Sequence, residues 1–123
     1  MGHELIKHGF QPQETLHCFP LNGRFDSPEI KGVDGILSTY KQNINGIRMA
    51  GPTFFSEVLS NWIDLSKKAH ALNKVEDLKT YCLLLIITDG TIYDLPESVR
   101  LMVEASEYPC SIIIVGVGNG DFS

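Results

Sequence analysis

The chain has 123 residues, 43% of them apolar, and 15 acidic against 10 basic side chains give it a formal charge of −5. That length and composition suit one globular domain with its own core. The negative balance argues against nucleic acid as a partner and against a polybasic membrane-surface patch. The longest apolar runs, Leu83–Ile87 and Ile112–Val117, fall far short of the roughly 20 residues that cross a bilayer. No charged-then-apolar signal segment opens the chain, so a cytoplasmic protein is expected. Cys18, Cys82 and Cys110 are odd in number and lack a C-x-x-C pair, which points to neither a disulfide framework nor a zinc knuckle.

In chain order, residues 1–14 show little periodicity and are expected to form an irregular leader, or residues foreign to the native protein, with the domain proper over residues 15–123. Thr15–Leu21 has β-compatible character, but Pro20 cannot donate to a ladder, so an edge strand is expected. Turn formers fill the stretch from Asn22 to Lys31, and Val33, Ile36, Leu37 and Tyr40 then recur three and four apart, predicting a helix with that face buried. Gly51-Pro52 breaks the chain. Phe54, Val58, Leu59, Trp62 and Leu65 follow at helical spacing, which places Thr53 at or near a helix start. The polar stretch Lys67–Thr80 is expected to be a surface connection.

From Cys82 to Ile87 the chain is apolar without a break, the pattern of a central parallel strand covered by helices on both faces. Asp94, Pro96 and Glu97 have the composition of a capped helix start. Val99, Met102, Val103 and Ser106 would form the inward stripe. A second apolar run, Ser111–Val115, ends in Gly116-Val117-Gly118-Asn119-Gly120. Strand, helix and strand in succession predict a right-handed parallel crossover, and with it an α/β fold.

In open parallel sheets ligands gather at the carboxyl ends of the strands, where this chain carries Thr88, Asp89 and Gly90. A carboxylate ending a buried strand is costly to desolvate unless it is hydrogen-bonded, exposed or near a cation. Asp89 is therefore a candidate site residue, although Asp-Gly is also a common turn dipeptide. The Thr53 hydroxyl at a helix start suits either an N-cap or an oxygen ligand of a hard cation. The 116–120 glycines lack the G-x-G-x-x-G order of a dinucleotide loop. The histidines have no metal-like spacing, and no serine lies in a G-x-S-x-G elbow. No catalytic constellation is present, so the chain is expected not to be an enzyme.

Five segments, in order and at matching intervals, carry a resemblance: Phe19-Pro-Leu-Asn-Gly23, Gly32-Val-Asp-Gly-Ile-Leu37 with Tyr40, Gly51-Pro-Thr53, Leu84-Leu-Ile-Ile-Thr-Asp-Gly90 and Ser111-Ile-Ile-Ile-Val-Gly-Val-Gly118. Together they resemble the von Willebrand factor type A domain of copines, with a similar domain of plant RING-type ubiquitin ligases as the nearest competitor. The resemblance implies a doubly wound, Rossmann-like domain with a mostly parallel sheet, and a metal-ion-dependent adhesion site holding magnesium or manganese. Such a site takes an Asp-x-Ser/Thr-x-Ser loop, a threonine matched by Thr53 and an aspartate matched by Asp89, and a partner's carboxylate completes the metal shell. No Asp-x-Ser/Thr-x-Ser sequence occurs in the chain. The resemblance places that loop upstream of Met1 and further elements beyond Ser123, so weak or no metal binding is expected of this chain. It also implies an intracellular protein-interaction module of a calcium-dependent phospholipid-binding protein whose membrane contacts come from other modules. Two alternatives are the substrate-binding part of a RING-type ligase and a metal-free fragment that self-associates to cover unpaired strands. A RING segment would show paired Cys and His ligands, which this chain lacks.

Overall fold

A computed structural model describes residues 2–5, 16–75, 79–90 and 92–120. The elements are β1 (Gly2–Leu5), α1 (Gly32–Asn43), a 3₁₀ turn (Ile44–Gly46), β2 (Ile47–Ala50), α2 (Ser56–Leu72), β3 (Cys82–Thr88), α3 (Leu95–Ala105) and β4 (Cys110–Gly116). They divide into two compact units, Met1–Pro52 and Thr53–Ser123.

In the first unit β1 and β2 pair antiparallel, Gly2 opposite Ala50 and Leu5 opposite Ile47. Neither strand is predicted by pattern, because four residues such as Ile-Arg-Met-Ala are too short to display a period. The irregular leader expected over residues 1–14 thus includes a strand, and its remainder, 6–14, lies outside the described residues. No edge strand forms over residues 16–21. Leu16 makes an isolated bridge, and the Pro20 carbonyl accepts from Gly23 N–H in a turn. Helix α1 forms where its spacing predicts, yet none of its residues is buried: Val33 is 72% exposed and Leu37 51%. Two four-residue strands offer a twelve-residue helix little surface to pack on.

The second unit has one core. Strands β3 and β4 run parallel, Cys82 opposite Cys110 through Thr88 opposite Gly116, joined by α3. Leu59, Trp62 and Ile63 of α2 and Leu101 and Ala105 of α3 are buried together, with Cys82, Leu84, Cys110 and Ile112 packed against them from one sheet face. Each large apolar side chain so buried contributes about 1.5–3 kcal/mol. The Trp62 indole N–H reaches the Cys82 carbonyl at 3.4 Å, and the buried Ser66 hydroxyl donates to the Trp62 carbonyl at 2.7 Å.

Three expectations change here. The α2 stripe runs Leu59, Trp62, Ile63, Ser66, Ala69, while Leu65 is 58% exposed, so the helix is rotated from the predicted register. Small Ser66 and Ala69 continue the stripe and the helix runs on to Leu72, so the expected connection from Lys67 is helical over its first six residues. On α3 the buried positions are Ser98, Leu101 and Ala105; Met102 packs partly, and Val99 and Val103 are exposed. Both helices turn small side chains inward, where close approach to a neighbour matters more than hydrophobicity.

Strand β3 differs in a further way from a strand buried on both sides. Leu84 and Ile86 face the helices, whereas Leu83, Leu85 and Ile87 are 59%, 55% and 67% exposed. Their β4 partners Ile113 and Val115 are exposed as well. The helices of this unit cover one face and leave an uncharged apolar strip on the other.

Leu59→Ala should destabilise the second unit by about 2–5 kcal/mol, the range for emptying a packed leucine site. Leu65→Ala should cost less than about 1 kcal/mol. Urea denaturation followed by Trp62 fluorescence measures both, and equal losses would contradict the observed helix register.

Candidate functional site

The carboxyl end of β3 runs into Asp89 and Gly90, and the chain then returns through Tyr93 and Asp94 to the start of α3. This return is tied to the segment that leads into α2. Tyr93 N–H donates to the Thr53 carbonyl at 2.8 Å. The Asp94 carboxylate accepts from Phe55 N–H at 2.9 Å through Oδ1 and from Ser56 N–H at 2.7 Å through Oδ2. These are N–H groups at the open end of α2, which the helix cannot satisfy itself. Asp94 also precedes α3, and its main-chain carbonyl accepts from Ser98 N–H at 2.9 Å.

Asp94 was expected to cap α3, with Glu97 reaching back in a capping box. Asp94 does hold the N-cap position of α3, but its carboxylate caps α2, and at α3 no side-chain cap bond forms. Glu97 turns to Arg100, at 2.6 Å. The sequence signal for a cap was sound, but it could not name the recipient helix, which lies 38 and 39 residues upstream.

Burial works against the Asp94 charge, but the Phe55 and Ser56 donors outweigh it and hold the carboxyl below its ordinary value of 3.8. The positive end of the α2 dipole favours the same charge state.

Thr53 and Asp89 both belong to the second unit. Thr53 is half-buried and lies two residues before Phe55, the N-cap position of α2, while Asp89 is exposed at the strand end. The Asp94 carboxylate accepts from two of the N–H groups that follow Thr53, those of Phe55 and Ser56. The loop after β4 closes against the Asp89 segment: Val117 N–H donates to the Thr88 carbonyl at 2.8 Å. A Cβ on Gly120 would collide with the Asp89 carbonyl oxygen, so the glycine run serves close backbone approach. Among the described residues no group of three or more His, Cys, Asp or Glu side chains is placed to hold a metal ion. Thr53 and Asp89 supply oxygen donors of the type that suits magnesium or manganese, but two such donors fall short of a full coordination shell.

The surface joining α2 to α3 is electrostatic. Lys67 pairs with Glu104 at 3.0 Å, and Glu104 lies 3.4 Å from Arg100. The Lys67 ammonium also sits 5.7 Å from the Tyr108 ring centre. These exposed groups orient the helices rather than form a site.

A parallel strand–helix–strand unit makes this an α/β protein, with an exposed aspartate at a strand end. Comparison with known proteins is more specific. The copine family profile matches residues 5–123. Protein BONZAI 1 of Arabidopsis thaliana is 41% identical over 106 residues, covering 86% of this chain and 18% of that protein. Nicotinic receptor-associated protein 1 of Caenorhabditis elegans is 38% identical over 104 residues, and Copine-C of Dictyostelium discoideum 39% over 108. They cover 85% and 88% of this chain, and 16% and 19% of those proteins. The chain belongs to the copine family. It spans less than a fifth of the length of these curated relatives.

Asp94→Ala should lower stability by about 1–2 kcal/mol near neutral pH, the usual cost of losing a helix cap. Because the native carboxyl titrates below its unfolded value, this stability is fully present above about pH 4 and is lost as the pH falls through the lowered native value. The gap between wild type and variant in urea denaturation should therefore narrow on acidification. A gap unchanged down to about pH 2.5 would mean that Asp94 acts through packing and not through its charge.

Proposed function

We propose that this chain is part of the protein-interaction domain of a copine, a module that recognises partners and catalyses nothing. Membership of the copine family, matched across residues 5–123, carries this reading. The name of Nicotinic receptor-associated protein 1 connects that relative with a receptor, which agrees with a partner-binding role. On this reading the domain is of the von Willebrand factor type A kind, doubly wound and Rossmann-like. Its adhesion site takes Thr53 and Asp89 as two of its oxygen ligands for magnesium or manganese, and an acidic side chain of an intracellular partner completes the shell. The location of Asp89 at the carboxyl end of a parallel strand supports it. The whole protein would work in the cytoplasm and meet phospholipid through calcium-dependent modules elsewhere in its length. Among the described residues no helix is long and apolar enough to cross a membrane.

Isothermal titration with manganese tests the site. This chain should bind weakly or not at all, whereas a longer chain carrying an Asp-x-Ser/Thr-x-Ser loop should bind saturably. In that chain Thr53→Ala and Asp89→Ala should each weaken binding by about tenfold or more, the scale of losses at metal-site residues. Equal affinities for wild type and both variants would remove these residues from the site.

The bare face of β3 and β4 favours a second reading, self-association. Leu83, Leu85, Ile87, Ile113 and Val115 carry no charge, so two copies brought face to face do not repel. Among the described residues both strands of the pair also have an unpaired edge. A second copy offers the same self-complementary surface. Light scattering should show a mass that rises with concentration, reduced to the monomer by Leu85→Lys. A monomer at every concentration would exclude this association.

A further inference from the structure

The first unit contains a hollow of about 470 Å³ between the 22–31 loop and α1, lined by Asn22, Arg24, Glu29, Lys31, Gln42 and Asn43 among others. Its loop wall is held rigid by local bonds. Asn22 Oδ1 accepts from Arg24 N–H at 2.9 Å, and Asn22 Nδ2 donates to the Ser27 carbonyl at 2.8 Å. Two turns flank these bonds, Gly23 N–H to the Pro20 carbonyl at 3.0 Å and Ser27 N–H to the Arg24 carbonyl at 3.3 Å. The helix wall is ordered too, with Asn43 Nδ2 donating to the Thr39 carbonyl at 2.9 Å. A site built on a pre-ordered frame loses little entropy on binding.

Its charges are not neutralised from within. Arg24 and Lys31 are exposed and form no ion pair with another described residue, and they outnumber the single carboxylate, Glu29. The lining thus carries one net positive charge on a chain of net charge −5, with Asp26 in the same loop but outside the lining. Glu29 narrows the choice of ligand. Its Oε2 accepts only a long 3.4 Å bond from Ser27 Oγ, which leaves acceptor capacity facing the hollow's rim. A phosphate dianion would be repelled there, whereas a peptide brings N–H donors to satisfy the carboxylate while its acidic side chain meets the two cations.

We propose that this hollow binds an acidic segment of a partner protein, Arg24 and Lys31 taking a Glu or Asp carboxylate and Glu29 accepting from the segment's main chain. The proposal rests on the protein-interaction reading above and adds a second contact to it, in the unit that lacks Thr53 and Asp89.

Fluorescence anisotropy of a labelled (Glu-Gly)4 peptide against the full chain tests it, with a (Gln-Gly)4 peptide and inorganic phosphate as comparators. The Glu peptide should bind, the Gln peptide should bind at least about tenfold more weakly, and affinity should fall as salt is added. Arg24→Ala and Lys31→Ala should each weaken binding about tenfold, as expected for the loss of one charge-assisted bond. Circular dichroism should stay unchanged, since both side chains are exposed. No binding of the Glu peptide, equal binding of the Gln peptide, or unchanged affinity in the double variant overturns the proposal. So does displacement of the peptide by less phosphate than unlabelled Glu peptide. In the longer chain, manganese titration of Thr53→Ala and Asp89→Ala reports on the other unit, so failure there and failure here remain distinguishable.

Discussion

The carboxylate of Asp94 joins two parts of the second unit that are far apart in sequence. It accepts from Phe55 and Ser56 at the start of α2 while its own main chain begins α3. One residue therefore stands at the start of both helices, its side chain at α2 and its main chain at α3, and both helices cover the same face of β3 and β4. The Tyr93 bond to the Thr53 carbonyl draws the return loop after Asp89 toward the Thr53 segment. Without this clamp the Phe55 and Ser56 N–H groups at the start of α2 would depend on water, and the loop carrying the candidate ligands would lose its anchor.

The same unit shows how much a short stretch of parallel sheet needs its surroundings. Strand β3 has the composition of a strand buried on both faces, and the helices of its unit cover one. The covered face holds the Trp62 core, and the other presents leucine and isoleucine to solvent. An apolar face without a cover draws partners, whether further elements of a longer domain or another copy. Membership of a family whose relatives are several times longer agrees with a strand composed for a larger sheet.

The first unit works by different physics. It has an α1 with no buried residue and a polar hollow whose order comes from Asn22 and two turns. On the readings proposed above, recognition by this surface would depend on charge placement and salt, and recognition by the second unit on oxygen ligands at a strand end and on an apolar strip.

The residues themselves revealed the α/β class of the second unit, because the runs Cys82–Ile87 and Ser111–Val115 bracket a 3.6-residue pattern that only a crossover helix satisfies. They also revealed the place of α1 and the position of Asp89 at a strand end. Short strands such as Ile47–Ala50 display no period, so their pairing with Gly2–Leu5 was illegible. The register of α2 was misread because Leu65 outweighs Ser66 and Ala69 in hydrophobicity, although the packed face selects small side chains. The hollow was equally hidden, since Asn22, Lys31 and Gln42 become neighbours only through the turns between them. Local pattern reports what one segment prefers alone. Which helix Asp94 caps, which face of β3 is covered and which cations stand together depend on contacts between distant residues, and only the tertiary structure decides those.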